Sequence, residues 1–259
     1  MPARCRADLL LVERGLCASR ADAQRLILAG KVHAAGRRLD KPGMLVPADA
    51  PVEVSGPAHP FVSRGGVKLQ HGLTVFGVSP AGRICLDVGA STGGFTDCLL
   101  QAGARQVIAV DVGYGQFDAR LRRDARVLLL ERTNIRYLET LPVLPDLAVI
   151  DVSFISLALV LPPVLRLLGG PREIVALVKP QFEVGKGQVG KGGVVRDPAL
   201  HRAVLNRALS AAAELGLRTR GISASPLLGP MGNREFLIHL VAGDGSENVD
   251  GLIENALAG

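Results

Sequence analysis

The segment Leu86-Asp87-Val88-Gly89-Ala90-Ser91-Thr92-Gly93-Gly94-Phe95 links an apolar run of strand character to a helical one. Glycines in such a turn let the backbone reverse sharply and approach a ligand closely. In the next strand–helix unit, Val110-Asp111-Val112 places a carboxylate at a strand end, 22 residues after Gly89. There it can accept both ribose hydroxyls of a nucleoside cofactor. The glycines are spaced G-x-S-x-G-G rather than G-x-G-x-x-G, which leaves a pyrophosphate without a cradle. A cofactor bearing a sulfonium and no phosphate fits better, with Asp87 as a nearby carboxylate.

Two other readings compete for this turn. Gly89-Ala90-Ser91-Thr92-Gly93 also spells G-x-S-x-G, the hydrolase nucleophile elbow. Its acid and base would then be Asp151 with His201 or His239. Against this, the turn follows the first strand rather than one deep in the sheet, and neither histidine falls on a loop. A purely structural turn explains the glycines but not the carboxylates at Asp87 and Asp111. A further near-miss, Gly185-Lys186-Gly187-Gln188-Val189-Gly190-Lys191-Gly192, approaches the P-loop pattern. It has glycine where the Mg²⁺-binding hydroxyl belongs, and no helix start follows until Asp197. It reads as a basic loop, either a lid or plain surface.

Four charged residues stand at the ends of elements. Asp151 follows the strand Leu147–Ile150, Lys179 follows the strand at 174–178, and Glu235 opens a final strand expected to run antiparallel. Ligands of open α/β sheets bind at the carboxyl ends of the parallel strands, which sends all three to one edge. Lys68 sits on a helix entering the same region. Any one of them alone reads best as a surface charge or salt bridge; the order Lys, Asp, Lys, Glu across these elements is more specific.

The elements that must position these groups alternate. Strands are expected at Ile84–Val88, Gln106–Val110, 126–130, 146–150 and Glu173–Val178, with helices near 95–102, 116–123 and 155–168. Near-continuous apolar strands separated by helices predict a parallel sheet covered on both faces. Asp197 and Pro198 predict the start of a longer helix, and strands at Leu217–Ala224 and 235–241 close the pattern. The fold class is therefore α/β, with a doubly wound, mostly parallel sheet.

Before residue 57 the composition differs. Ser55-Gly56-Pro57-Ala58-His59-Pro60 reads as a boundary, giving an N-terminal domain over 1–56, a linker over 57–62 and a second domain over 63–259. The first 56 residues carry nine Lys/Arg and six Asp/Glu, so half of the chain's net charge of +6 lies on little more than a fifth of its 259 residues. Leu9, Val12 and Leu16 predict one helix with that apolar face. Ser19-Arg20-Ala21-Asp22 has capping-box form and predicts a second, with Ala23, Leu26 and Ile27 inward. Short strands follow at 31–34, 36–39 and Val52–Val54. Basic residues, among them Arg4, Arg6, Arg20, Lys31, Arg38 and Lys41, punctuate each element; a solvated basic surface would look the same.

The bulk numbers exclude several classes. The longest apolar run, 154–168, is interrupted by Pro162, Pro163 and Arg166 and falls short of the ~20 residues that span a bilayer. Arg4, Arg6 and Asp8 break the N-terminal apolar stretch, so it reads as no secretory signal, and a cytoplasmic protein is expected. Cys5, Cys17, Cys85 and Cys98 show no C-x-x-C spacing, so neither a metal site nor a disulfide framework is expected.

Two resemblances add to this reading. Arg6, Ser19-Arg20-x-x-Ala23, Gly30-Lys31-Val32 and Lys41-Pro42-Gly43 follow one another as in the S4 RNA-binding domain, a small α+β unit that docks on RNA backbone by shape and charge. Nearly the whole chain resembles the TlyA family, once called hemolysin A, in which an S4 domain precedes an FtsJ-like catalytic domain. The similarity is carried by Val62-Ser63-Arg64-Gly65-Gly66-x-Lys68-Leu69, the turn at Asp87 to Thr96, and Asp111-Val112-Gly113-Tyr114-Gly115-Gln116. Asp151-x-Ser153-Phe154-Ile155-Ser156, Val178-Lys179-Pro180-Gln181-Phe182-Glu183, Gly190-Lys191-Gly192-Gly193-Val194-Val195 and Gly232-Asn233-x-Glu235 match too.

The resemblance implies a Rossmann-like class I methyltransferase that uses S-adenosyl-L-methionine and methylates cytidine 2′-hydroxyls in ribosomal RNA of the large subunit, in some members also the small. The FtsJ-like Lys-Asp-Lys-Glu tetrad carries over onto Lys68, Asp151, Lys179 and Glu235. Lys179 is then the base or orienting group for the hydroxyl, and Asp151 and Glu235 orient the lysines and the hydroxyl. The implied cofactor positions are Asp87, Gly89, Ala90, Ser91, Thr92, Gly93, Gly94, Phe95, Asp111 and Asn134. Arg64 and Lys191 join the N-terminal basic residues as RNA contacts. The partners implied are ribosomal RNA or ribosomal subunits, with no membrane and no obligate protein partner. Two alternatives remain at this point: a non-catalytic ribosomal RNA-binding or assembly protein that kept the fold, and a membrane-active hemolysin.

Overall fold

The computed structural model describes residues 4–17, 19–54, 60–185, 187–243 and 248–259. The chain divides into two units, Met1–Pro60 and Phe61–Gly259. Of the linker expected at 57–62, residues 57–59 lie outside the described residues. Phe61 is buried against the second unit's core, and Val62 donates its backbone N–H to Asp97 Oδ2 at 2.8 Å.

The N-terminal unit begins with β1 (Arg4–Arg6), α1 (Ala7–Glu13) and α2 (Arg20–Leu28), followed by β2 (Val32–Ala34), β3 (Arg37–Arg38), β4 (Leu45–Pro47) and β5 (Val52–Val54). β1 pairs antiparallel with β4, and β2 lies between β3 and β5. Ser19 caps α2 as its sequence form predicts, with its hydroxyl accepting from Asp22 N–H at 3.2 Å. The face of α1 differs from expectation. Leu9, Val12 and Leu16 are exposed, while Ala7, Leu10 and Leu11 pack on Ala23, Ile27 and Val32. Both sets satisfy a helical period. The choice between them goes with Asp8, which is wholly buried and bound by Arg6, Arg20 and Gln24 at 2.9–3.1 Å. Burying an unpaired carboxylate is prohibitive, so this network must turn inward as a whole.

In the second unit α3 (Arg64–Phe76) precedes β6 (Ile84–Val88), α4 (Gly94–Gln101), β7 (Gln106–Val110), α5 (Ala119–Arg122), β8 (Val127–Leu130) and β9 (Leu147–Ile150). Then come α6 (Leu157–Leu167), β10 (Glu173–Val178), α7 (Pro180–Glu183), α8 (Pro198–Glu214), β11 (Leu217–Ala224), β12 (Phe236–Ala242) and α9 (Val249–Ala258). The seven strands order as β11-β12-β10-β9-β6-β7-β8, with β6 to β10 parallel and β12 antiparallel to both neighbours. Successive strand residues serve opposite faces: Leu86, Val88, Ile108 and Ile150 pack toward α6, α8 and α9, whereas Cys85, Val107, Leu147 and Val149 pack toward α3 and α4. Two covered faces explain why the strands read as unbroken apolar runs.

β6, β7 and β8 proceed toward one edge, and the chain then returns to place β9 on the other side of β6. This reversal opens a crevice beyond the carboxyl ends of β6 and β9, where open α/β sheets bind ligands. It also corrects one expectation. The strand before the glycine-rich turn is first in the sheet by sequence but lies inside it, so position alone does not dismiss a nucleophile elbow.

Candidate active site

The crevice holds a cavity of about 430 Å³, walled by the turns after β6, β7 and β9 and by residues 133–135. Its shape depends on Gly89, with φ +87°: a Cβ there would sit 2.4 Å from the carbonyl oxygen of Asp151. Only glycine lets these two strand ends approach so closely. Of the expected cofactor positions, Gly89, Ser91, Asp111 and Asn134 line the cavity. Ala90, Gly93, Gly94 and Phe95 are buried and form no part of its wall. They shape the turn instead; a Cβ on Gly94 would lie 2.2 Å from Ser63 Oγ. Thr92 is exposed, and its carbonyl accepts from Asp118 N–H.

Asp111 is held by the turn it serves. Its Oδ2 accepts from Ser91 N–H at 2.7 Å and its Oδ1 from Gly113 N–H at 2.6 Å, with Gln116 Nε2 at 3.4 Å. A carboxylate has about four acceptor sites, so capacity remains for a pair of hydroxyls. Asn134 accepts from Arg136 N–H through Oδ1, which leaves its amide N–H groups for a ligand. Asp87 does not reach the cavity wall. It is fully buried, accepts from Thr96 Oγ1 at 2.6 Å, and its Oδ1 has no hydrogen-bond partner among the described residues. Burial, aided by the nearby carboxylates of Asp151 and Asp111, pushes its carboxyl up to about 7.

The tetrad resolves into two lysine–carboxylate pairs. Lys68 Nζ lies 2.5 Å from Glu235 Oε2, and both residues are buried. Lys179 Nζ lies 2.6 Å from Asp151 Oδ1 and donates to Ser153 Oγ at 2.9 Å. The sheet register brings them to one edge: Val178 pairs with Phe236, so Lys179 and Glu235 leave neighbouring strands at the same end. Gly229 allows the chain to pass over Glu235, since a Cβ there would meet Oε1 at 2.0 Å. Glu235 Oε1 itself has no hydrogen-bond partner among the described residues. Asp151 and Ser153 wall the cavity, so the Lys179 pair and the cavity share a boundary.

Several contributors were missed from sequence. Ser153 binds Lys179. Phe154 is 89% exposed with φ +63°, forms part of the cavity wall and meets the Phe182 ring at 4.7 Å between centroids. A left-handed phenylalanine is costly and marks a constrained site. The motifs holding these residues were visible; their roles depend on loop conformation.

The histidines of the hydrolase reading are engaged elsewhere. His201 Nε2 contacts the Val195 carbonyl, and His239 Nε2 meets Glu173 Oε1 at 2.8 Å, at the opposite end of β10 from Lys179. Among its described residues the glycine-rich loop carries a short 3₁₀ turn at Lys191–Gly193 before α8. Of the expected RNA contacts, Arg6 and Arg20 hold Asp8, Arg38 pairs with Asp40, and Arg64 Nη2 donates to the Leu228 carbonyl at 2.9 Å. Arg4, Lys31 and Lys41 form no side-chain hydrogen bond or ion pair among the described residues. No helix among the described residues is long and apolar enough to cross a membrane.

Comparison with known proteins accords with this geometry. The model of the FtsJ-like methyltransferase family matches residues 61–242, and that of the S4 domain matches residues 5–52. YqxC of Bacillus subtilis is 51% identical over 246 residues, covering 93% of this chain and 88% of that protein. A Mycobacterium tuberculosis protein named 16S/23S rRNA (cytidine-2′-O)-methyltransferase TlyA is 50% identical, covering 93% and 91%. The solved structure of a Streptococcus thermophilus protein bearing the hemolysin name is 42% identical, with a TM-score of 0.78, covering 100% of this chain and 95% of that one. The chain therefore belongs to the TlyA family, as an enzyme with an S4 domain and an FtsJ-like methyltransferase domain.

Proposed function

We propose that the chain methylates the ribose 2′-hydroxyl of cytidine in ribosomal RNA, using S-adenosyl-L-methionine. The observation that carries this reading is the shared wall. Asp151 and Ser153 belong at once to the nucleoside-sized cavity and to the contacts of Lys179. The cofactor fits the residues present: Asp111 offers acceptors for ribose hydroxyls, Asn134 offers donors, and the turn lacks a pyrophosphate cradle. When bound, it supplies an electrophilic methyl group on a cationic sulfur.

The chain's own groups do the rest. A ribose hydroxyl is a weak nucleophile until its proton is withdrawn or strongly polarised. Lys179, held by Asp151 and Ser153, is placed to take that proton in its amine form, or to fix the hydroxyl's direction in its ammonium form. Lys68 and Glu235 brace the edge of the site. Phe154, exposed at the lip, offers a face on which an unstacked base can rest. We assign RNA docking to the basic surface of the 1–56 domain, with 57–62 as the linker to the catalytic domain over 63–259, and Arg64 and Lys191 as RNA contacts of that second domain.

Mapping 2′-O-methylation on ribosomal RNA of both subunits, in cells with and without this protein, tests the reading. A cytidine that loses its ribose methyl in the deletion is expected. Unchanged ribose methylation, or loss of a base methyl instead, refutes it.

A further inference from the structure

We infer that Glu183 is a positioning residue for the transfer: its carboxylate locks the loop bearing Asp151, Ser153 and Phe154 to the one bearing Lys179 and Phe182. The inference rests on the proposed role of Lys179. Glu183 ends the short α7 that follows Lys179, and it is 9% exposed. Its Oε2 accepts from Ser156 Oγ at 2.7 Å and its Oε1 from Leu157 N–H at 2.7 Å. Both donors belong to the start of α6, where free N–H groups and the helix dipole favour an anion. Ser156 in turn caps α6 through Ala158 N–H.

Residues 151–156 are thus fixed at both ends to the strand neighbour. Near the sheet, Lys179 bridges Asp151 and Ser153; at the far end, Glu183 holds Ser156 and Leu157. Between these fastenings lies Phe154 at φ +63°, a conformation that a free loop would abandon. Its ring lies against Phe182, one residue before Glu183. Arg207 Nη1 donates to the Glu183 carbonyl at 2.7 Å, tying this segment to α8 as well. No atom of Glu183 forms the cavity wall, so its effect must pass through the residues it holds. Losing the far fastening lets Ser153 and Phe154 drift, and with them the direction in which Lys179 points. Small misplacements of this kind cost rate more than affinity.

The test compares Glu183→Ala, Glu183→Gln and Lys179→Ala in single-turnover methylation of ribosomal subunits, with S-adenosyl-L-methionine affinity measured by calorimetry. Glu183→Ala should lose at least tenfold in rate, with cofactor affinity changed less than threefold. Glu183→Gln, whose amide can still accept from Leu157 N–H and bond Ser156, should return to within about threefold of the parent. Wild-type rate in Glu183→Ala overturns the inference, as does parallel loss of rate and cofactor affinity in both variants. Should Glu183→Ala fail to fold, Ser156→Ala carries the test, with a three- to tenfold loss expected and none overturning it. If Lys179→Ala is itself fully active, the proposed role of Lys179 has failed; if it is inactive while Glu183→Ala is not, only this inference has.

Discussion

Lys68→Met separates what the buried pair contributes to folding from what it contributes to catalysis. Methionine keeps most of the stem's length and packing while removing the ammonium. Glu235 is wholly buried, one of its oxygens has no hydrogen-bond partner among the described residues, and the other relies on Lys68 at 2.5 Å. Removing one member of such a pair costs ~3–5 kcal/mol, because the survivor is left charged in an apolar site or must take up a proton. A domain of this size loses roughly 2–4 °C in melting temperature per kcal/mol, so a fall of about 6–20 °C is expected. Replacing both partners by apolar residues is often neutral or stabilising. The double variant Lys68→Met with Glu235→Leu should therefore recover most of the loss while remaining inactive in methyl transfer. Denaturant and thermal unfolding of the parent, both single variants and the double form the assay. A loss below about 1 kcal/mol in each single variant, or a double variant no more stable than the singles, would refute the reasoning.

Lys179→Ala should lower single-turnover methylation ~10²–10⁴-fold, the usual cost of a positioned base; Lys179→Arg should restore the rate only if the residue orients without accepting a proton, since guanidinium stays protonated. Asp111→Ala should weaken S-adenosyl-L-methionine binding in calorimetry far more than RNA binding, and NAD binding in its place would reverse the cofactor assignment. Truncation before Pro60 should abolish methylation of ribosomal substrate yet spare cofactor binding, and RNA affinity of the full chain should fall steeply with salt, as counterion release requires. Asp87, with its carboxyl raised from 3.8 to about 7, binds a proton folded that it releases unfolded, so wild-type stability falls as pH rises between those values. Asp87→Asn should flatten that fall in urea titrations at pH 5 and pH 8; an unchanged pH dependence would show that Asp87 is ionised throughout.

The sheet was legible because its strands are apolar on both faces. The strands at Ile84–Val88, Gln106–Val110 and Glu173–Val178 carry the expected bounds, since each is a mostly apolar run that a doubly covered strand can bury, and the edge strand Leu217–Ala224 carries its expected bounds with a mixed, alternating pattern. What failed depended on contacts between distant residues. Two helical stripes compete on α1, and periodicity cannot choose between them; the binding of Asp8 by Arg6, Arg20 and Gln24 goes with the stripe of Ala7, Leu10 and Leu11. Asp151, Lys179 and Glu235 could be placed at one sheet edge from their positions at strand ends, with Lys68 on a helix entering the same region. Which lysine takes which carboxylate could not, because that follows from β10–β12 register and from how α3 crosses the sheet. Phe154 was legible as part of a motif but not as an exposed ring, since its left-handed backbone is imposed by the loop.

The pairing bears on which lysine would meet the proposed ribose hydroxyl. The two side chains are covered almost equally, Lys68 at 10% exposure and Lys179 at 11%, so access to the amine itself does not choose between them. Their partners differ. Glu235 is sealed, and neither it nor Lys68 contributes to the cavity wall, whereas Asp151 is 21% exposed and forms that wall together with Ser153. A substrate hydroxyl entering beside the proposed cofactor cavity would meet Ser153 Oγ, which already accepts from Lys179, and could exchange with it. To engage Lys68 it would have to break a desolvated ion pair, which is expensive. The same contrast favours Lys68 and Glu235 as a fixed brace and Lys179 as the group that exchanges partners, and it is why the two lysines should differ: Lys68→Met should cost stability as well as activity, Lys179→Ala mainly rate.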